Sequence, residues 1–304
     1  FILNGATLTN LNVIHGGFTW LSGSWGGAVT IASNSVVNIV FYGSGGNAHD
    51  LPNCVITNFG TVNWSSDNLL GGGSSPGTLI YNYGLWNVQG DGVLGVNVAG
   101  NGMVFNNFGT VRKSGTSGGT SQFGVTFTNT GTLDMQAGIV SLTGAYNLLG
   151  GTLNFNLNNL TNFARLNLAD SAALDGPLRV SVGGTFAPTN GSLFQIISSS
   201  GQSGVFSSVT LPAGISVTYS NSGVFLLVSS AVPVEILAPQ LAGSSFSFQF
   251  PTASGQSYTV EGNDDLTTTN WVFYTNTIGS GSLYQFQVPV TAAPPHRFFR
   301  ISEP

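Results

Sequence analysis

Charged side chains are scarce in this chain of 304 residues, and their scarcity excludes several classes of function. Asp, Glu, Lys and Arg together make up only 6% of the residues, far below the roughly 25% of ordinary soluble domains. The six Lys and Arg residues provide no basic patch for phosphates, so we expect no nucleic-acid partner. A hydrophobic content of 41% still supports a core, so the surface must be covered by Asn, Ser, Thr and Gly.

Cysteine and long apolar runs are also nearly absent. The single cysteine, Cys54, cannot form an internal disulfide and is expected to be a small core residue. No apolar run approaches the roughly 18 residues of a membrane-spanning helix, so no membrane span is expected. The chain shows no signal peptide and begins at Phe1 within a strand-like pattern, which suggests a processed or truncated form.

Helical patterns are missing too, whereas short runs of alternating apolar and polar residues occur throughout. Within them, an Asn, one variable residue and a Gly recur four times, with Gly-to-Gly steps of 24, 25 and 22 residues. A period of this length indicates stacked structural units. The four copies are Asn58-Phe59-Gly60, Asn82-Tyr83-Gly84, Asn107-Phe108-Gly109 and Asn129-Thr130-Gly131.

Each copy fits a strand, a tight bend at Asn-x-Gly and a second strand, followed by a loop rich in Gly and Ser. Coils of about 22 to 25 residues suit two or three short strands, which predicts an all-β fold with a parallel β-solenoid (β-helix) over residues 1–230. We expect the glycines to allow positive φ at the bend. The asparagines either form local turns or stack as a ladder of amides along the axis. The predicted structural set is Asn58, Asn82, Asn107, Asn129, Gly60, Gly84, Gly109 and Gly131.

Residues 150–230 continue the solenoid with a changed pattern. A leucine-rich stretch is followed by Gly176-Pro177-Leu178, Phe194-Gln195-Ile196 and Gly204-Val205-Phe206. This succession resembles the C-terminal coils that cap autotransporter-like passenger β-helices. The resemblance implies a secreted surface β-helix and no particular activity.

Residues 240–304 are predicted to form a separate module, because prolines interrupt an apolar stretch near Ser229 to Pro239. The module contains Phe246-Ser247-Phe248, a strand at Tyr258-Thr259-Val260-Glu261, and a closing Arg297-Phe298-Phe299-Arg300. Their order and spacing resemble the small β-sandwich tail of many secreted verrucomicrobial and planctomycete surface proteins. The resemblance implies a bacterial source and an extracellular or cell-surface location rather than a function.

Candidate catalytic groups are few in the solenoid region. It holds no Glu and six Asp residues, whereas polysaccharide cleavage uses paired carboxylates or a Ca²⁺ cluster with a basic residue. Asp67 and Asp91 could stack on neighbouring coils, but we interpret both as turn formers. His49 beside Asp50 lacks a third ligand and is expected in a surface loop. We therefore expect no enzyme activity, no metal site and no cofactor.

Two tryptophans are stronger candidates for a binding site, in this case for a glycan. Trp64 and Trp86 share strand parity, so they lie either in the core or, if exposed, on one face that stacks on the sugar rings of a glycan. The one basic pair, Arg112-Lys113, is expected at a solvated strand edge.

The terminal module also leaves two interpretations open. Glu261, Asp264 and Asp265 could together bind Ca²⁺. Alternatively, Glu261 pairs with Arg297 or Arg300 within the fold, which is the interpretation we favour.

These patterns favour a structural function, as a self-assembling surface fibre or filament subunit, or as a surface-layer or adhesin stalk. Open coils of a solenoid expose unpaired backbone groups and must be capped or stacked. The start Phe1-Ile2-Leu3 has no evident polar cap, so we expect head-to-tail contact between copies. A glycan-binding adhesive module is the alternative, and a polysaccharide-degrading β-helix enzyme is the least favoured one.

Overall fold

The structure is a computed structural model that describes residues 1–40, 49–65, 68–98, 101–115, 118–229, 234–253, 255–290 and 296–302. Asp67 and residues 230–233 of the predicted boundary lie outside the described residues. The chain divides into two compact units, Phe1–Val228 and Ser229–Pro304. The first unit is the parallel β-solenoid that the repeat predicted.

Three long sheets, called sheets 1, 2 and 3 here, build the solenoid. Sheet 1 has ten strands: Ile2–Leu3, Gly17–Trp20, Val36–Ile39, Thr61–Trp64, Leu85–Val88, Thr110–Lys113, Thr132–Met135, Thr152–Leu157, Pro177–Val182 and Ser208–Thr210. Sheet 2 has eleven: Ala6–Leu8, Gly23–Trp25, His49–Pro52, Leu69–Gly72, Val93–Val98, Thr120–Phe123, Ile139–Leu142, Arg165–Leu168, Leu193–Ser198, Gly223–Val228 and Ile215–Ser220. Sheet 3 has seven: Leu11–Ile14, Gly27–Ile31, Cys54–Asn58, Thr78–Asn82, Met103–Asn107, Thr126–Asn129 and Tyr146–Asn147.

Each coil of the repeat region gives one strand to each sheet in turn, and every strand pairs in parallel with its counterpart in the next coil. The Asn-x-Gly bend is the corner at which the chain leaves sheet 3 and enters sheet 1. Alternation places every second side chain inside, so the interior is one continuous apolar cluster. The fixed register therefore stacks equivalent residues of successive coils directly on one another.

Antiparallel strand pairing appears in sheet 2 after residue 190. Leu193–Ser198 pairs antiparallel with Gly223–Val228, which in turn pairs antiparallel with Ile215–Ser220. Ala172–Leu174 and Gln202–Gly204 pair in parallel as a separate two-stranded sheet. The antiparallel hairpin ends the parallel pairing of sheet 2, as a cap would.

Cys54 lies inside the solenoid at the start of a sheet 3 strand, fully buried and unpaired with any other cysteine. Burial removes the thiolate from water and raises the pKa of the Cys54 thiol to about 12. The thiol is therefore neutral across the physiological range and behaves as a small apolar side chain.

We expect a thiol reagent at about pH 8 to label Cys54 only after the chain has been unfolded, because the thiolate is the reactive form. The raised pKa means that the folded chain holds this proton more tightly than the unfolded chain. The contribution of the Cys54 thiol to stability is intact below its unfolded pKa of about 8.5 and is lost as the pH rises towards its folded pKa. Mass spectrometry measures the fraction of Cys54 that the reagent has labelled. Rapid labelling in native buffer would contradict the burial of this thiol.

The second unit contains two three-stranded antiparallel sheets that share a small apolar core and form a β-sandwich. One sheet holds Leu237–Ala242, Ser245–Pro251 and Leu283–Pro289, and the other holds Val272–Ile278, Ser257–Asn263 and Phe298–Ser302. The described parts of both units contain no helix long and apolar enough to cross a membrane.

Candidate functional site

An exposed row of aromatic rings runs along the corner between sheets 3 and 1. It consists of Phe59, Tyr83 and Phe108, which are the variable residues of three Asn-x-Gly copies, and is called the aromatic ladder here. The ring centroids are 5.2 Å apart from Phe59 to Tyr83 and 4.9 Å apart from Tyr83 to Phe108, with planes inclined by only 14° and 12°. The three residues are 49%, 48% and 46% exposed. The fourth copy carries Thr130, so the ladder ends there.

Strand alternation explains why these rings face outward. The strand Cys54–Asn58 buries Cys54, Ile56 and Asn58, so the residue after Asn58 points to solvent. At the next corner, the main-chain N–H groups of Tyr83 and Gly84 both donate to the carbonyl oxygen of Asn58, at 2.8 and 2.9 Å. The corner is therefore held in register with the preceding coil, and its rings stack.

Each copy needs its glycine because the backbones of successive coils approach closely at the corner, and not because the corner requires a positive φ angle. None of Gly60, Gly84, Gly109 and Gly131 has positive φ, which corrects the expectation made from the sequence. A Cβ on Gly84 would overlap the carbonyl oxygen of Gly60, and one on Gly109 would overlap that of Gly84. Successive corners approach so closely that only a hydrogen fits between them.

Beneath the aromatic ladder, the asparagines of the repeat form a buried row of amides. Nδ2 of Asn58 donates to Oδ1 of Asn82 at 2.7 Å, Asn82 donates to Asn107 at 2.8 Å, and Asn107 donates to Asn129 at 2.7 Å. Each of the first three amides also donates to a backbone carbonyl of the next coil, at 3.0 to 3.2 Å. This amide ladder satisfies polar groups that would otherwise be unpaired in the core.

Apolar residues close the amide ladder at both ends. Ile31 pairs in register with Asn58 on one side. On the other side, Nδ2 of Asn129 has no hydrogen-bond partner within the described residues, and buried Leu148 takes the equivalent position because Asn147 pairs with Thr128. The polar column is thus confined to the four coils that carry the motif.

The outer face of sheet 3 extends the aromatic ladder into a wider surface. On each of three neighbouring strands the outward residues are an aliphatic side chain, a polar or tyrosine side chain, and the ladder ring. We call this set the aromatic face; it comprises Val55, Thr57, Phe59, Leu79, Tyr81, Tyr83, Val104, Asn106 and Phe108. The seven strands of sheet 3 contain no Asp, Glu, Lys or Arg, so the face carries no charge.

Trp64 and Trp86 do not belong to any exposed surface. Both are 1% exposed, and in register they lie between Ile39 and Val88 and between Val62 and Val111. The hypothesis that these two rings stack on a glycan is therefore wrong, because alternation turns both of them into the core. In the Asn-x-Gly repeats, exposed rings stand instead at the variable position of the motif, at Phe59, Tyr83 and Phe108.

Among the described residues, the first coil lies at the end of all three sheets, since Ile2–Leu3, Ala6–Leu8 and Leu11–Ile14 are each the outermost strand of their sheet. Phe1 is 78% exposed and Ile2 64%, but Leu3 is only 5% exposed and joins the core. The expectation that Leu3 makes a subunit contact is corrected by this burial. Leu11 and Val13 add exposed apolar side chains to the same edge.

Two charged pairs lie on sheet 1 and its adjoining loop. Lys113 is buried, not solvated as expected, because it occupies an inward position between Val88 and Met135. Its Nζ donates to the carbonyl oxygen of Gly90 at 2.5 Å and to Oδ1 of Asp91 at 2.8 Å. On the outward side, Arg112 pairs with Asp134 at 2.7 Å.

His49 also departs from its expected surface loop. It begins a sheet 2 strand and is fully buried, with Nε2 lying 3.1 Å from the carbonyl oxygen of Trp20. Asp50 points the other way and accepts a hydrogen bond from Nδ2 of Asn97 at 2.9 Å. The two neighbours therefore do not act together at one site.

In the sandwich, arginines pair with the acidic residues that were Ca²⁺ candidates. Arg300 donates to Glu261 at 2.8 Å, and Arg297 donates to Asp264 at 2.6 and 3.1 Å. The hydrogen bond from Arg297 holds the pKa of Asp264 below its usual value. Hydrogen bonds from Thr267 lower the pKa of Asp265. Within the described ranges, no three His, Cys, Asp or Glu side chains are grouped so that they could hold a metal ion.

The aromatic ladder was missed in the sequence although its signal was present. The variable residue of Asn-x-Gly is Phe, Tyr and Phe in successive copies. The Asn and the apolar residue two positions before it both face inward, so alternation turns the variable residue after the Asn outward.

Comparison with known proteins adds no family: no protein-family model matches the chain, and no curated protein sequence matches it significantly.

Proposed function

We propose that the protein is a structural component of a bacterial cell surface or extracellular matrix, as a self-assembling fibre subunit or as a surface-layer or adhesin stalk. The observation that carries the proposal is the stack itself, in which three parallel sheets and the amide ladder run along one axis. An architecture of this kind gains stability from each added coil, so it suits a role that depends on length and regularity.

The edge of the first coil is the proposed joint between copies. Its strands have one pairing partner each, and Phe1, Ile2, Leu11 and Val13 leave apolar surface exposed beside them. Unpaired strand edges recruit further strands unless they are blocked. A contact of this edge with a different part of a second copy is heterologous and can propagate.

The resemblances noted in the sequence support the location. The antiparallel hairpin that ends sheet 2 occurs within the segment that resembles the capping coils of autotransporter-like passengers. The sandwich occupies the segment that resembles the tails of verrucomicrobial and planctomycete surface proteins. Both classes are secreted, so the proposal places this protein outside the cell.

Negative-stain electron microscopy of the purified chain tests the structural proposal. We expect fibres or regular end-to-end assemblies that lengthen as the protein concentration rises. Images that show only isolated particles at all micromolar concentrations would contradict self-assembly.

A second candidate function is adhesion to surface glycans. It is favoured by the aromatic ladder, whose exposed rings offer what the buried Trp64 and Trp86 do not. This function does not require self-assembly, so the two candidates are tested separately.

A further inference from the structure

We propose that the aromatic face binds a neutral, extended polysaccharide chain whose sugar rings pack along the ladder of Phe59, Tyr83 and Phe108. The proposal rests on the second candidate function above and names its site and ligand class. Four features of the face carry it: the ring geometry, a row of polar side chains beside the rings, the lack of charge, and the small area of the surface.

The ring geometry leaves part of each aromatic face open to a ligand. The planes of stacked rings in contact lie about 3.5 Å apart, so near-parallel rings with centroids 4.9 to 5.2 Å apart stack in the usual offset arrangement. Each ring therefore covers only part of its neighbour, and about half of each residue is exposed to solvent. The C–H groups on one face of a sugar ring can pack against the uncovered part of each aromatic face, since the π face carries partial negative charge.

Polar side chains stand beside the rings on the same outward face of sheet 3. Thr57, Tyr81 and Asn106 occupy the outward position two residues before each ring and are in register with one another. Their side chains make no hydrogen bond within the described part of the chain. A hydroxyl, a phenol and an amide in one row match the many donors and acceptors of a sugar chain.

The lack of charge restricts the class of polysaccharide. No Lys or Arg lies on any strand of sheet 3, so the face has no partner for the carboxylate of a uronic acid or for a sulfate or phosphate group. Binding an anionic polymer there would remove charge from water without compensation. A neutral polysaccharide is therefore the favoured ligand.

The area of the face argues against a stable protein partner. Three coils spaced by about 4.8 Å and outward residues spread over about 13 Å give a surface on the order of 200 Å². Specific protein–protein interfaces bury about 800 Å² on each partner. The face alone would supply only about a quarter of such an interface, whereas a few sugar units of one polysaccharide cover it.

Affinity electrophoresis and calorimetry of the full chain against neutral β-linked glucans, mannan and xylan test the proposal, with polygalacturonate as the charged comparison. We expect at least one neutral polymer to bind and polygalacturonate not to bind. The triple variant Phe59→Ala, Tyr83→Ala, Phe108→Ala is expected to weaken binding by about tenfold or more. The matched control is Phe273→Ala, which removes an exposed ring from the sandwich and should leave binding unchanged.

A gain-of-function variant keeps the test independent of any loss of folding. Thr130 is exposed and occupies the ladder position in the fourth copy, so Thr130→Tyr adds a fourth ring next to Phe108. We expect it to tighten binding of the same polymer several-fold, with an unchanged far-UV circular dichroism spectrum.

The proposal is overturned if no neutral polymer binds, if the folded triple variant binds as tightly as the native chain, or if polygalacturonate binds better. An altered sedimentation coefficient of the triple variant, with no glycan binding by the native chain, would instead identify the face as a contact between copies. A native chain that binds a neutral polymer but forms no fibres would refute the structural proposal and leave this one standing.

Discussion

Replacing Gly84 with alanine is expected to destabilise the solenoid by about 3 kcal/mol, a large fraction of an ordinary native stability of about 5 to 15 kcal/mol. The added Cβ would overlap the carbonyl oxygen of Gly60 and lie 2.8 Å from the carbonyl carbon of Phe59. These contacts are with backbone atoms, so no side-chain movement can relieve them. The corner must separate from the preceding coil, which breaks main-chain hydrogen bonds there.

Urea unfolding followed by tryptophan fluorescence measures this effect. The matched control is Gly102→Ala, since a methyl group on Gly102 would meet no other atom within 4 Å and this glycine has no positive φ. That change should be nearly neutral. Equal effects of the two substitutions would show that close packing at the corner is not the reason for the glycine.

Replacing Asn82 with aspartate is the second substitution with a large expected effect, about 3 kcal/mol or more at neutral pH. The two side chains have the same shape, but the carboxylate has no N–H group. It would face Oδ1 of Asn107 and the carbonyl oxygen of Thr110, both of which now accept hydrogen bonds from Asn82. A buried charge would also be left without a counter-ion.

The pH dependence separates this mechanism from a general loss of packing. Burial without a counter-ion raises the pKa of the introduced carboxyl above its unfolded value of about 3.9. As the pH falls towards that value, protonation restores one donor and removes the charge, so the loss of stability should shrink steadily over this range. Asn87→Asp is the matched control, because Nδ2 of Asn87 donates to Asn63 on the half-buried outer side of sheet 1. That variant should lose less than about 1 kcal/mol. A loss for Asn82→Asp as small as that of the control would contradict a stabilising role for the amide ladder.

The solenoid could be predicted from the sequence because its information is repeated. Four copies of one motif at nearly constant spacing specify one strand, one corner and one strand each, and alternation then assigns the inward residues. The same alternation also predicts which residues face outward, and it was not applied to the variable residue of the motif. Phe59, Tyr83 and Phe108 were therefore visible in the sequence but not recognised as a surface.

Other features could not be derived from single positions. Trp64 and Lys113 lie on the same inward column of sheet 1, yet residue type predicts a core tryptophan and an exposed lysine. Lys113 is buried because a loop carbonyl and Asp91 reach its ammonium group, which depends on where the loop folds. The role of the glycines likewise depends on the distance between coils, which a local turn preference does not contain.

Sedimentation velocity over a dilution series is the measurement that tests the proposed structural function most directly. Phe1 and Leu3 pair with the second coil, so the N–H of Ile2 points away from it. In sheet 3, Asn10 and Ile14 accept hydrogen bonds from the second coil, so the N–H of Val13 also points away from it. The double variant Ile2→Pro, Val13→Pro should therefore block the exposed edge without breaking a bond inside the chain. We expect the native chain to form assemblies that grow with concentration and the edge variant to sediment as a monomer. A native chain that stays monomeric at micromolar concentration, or an edge variant that assembles equally well, would contradict the account.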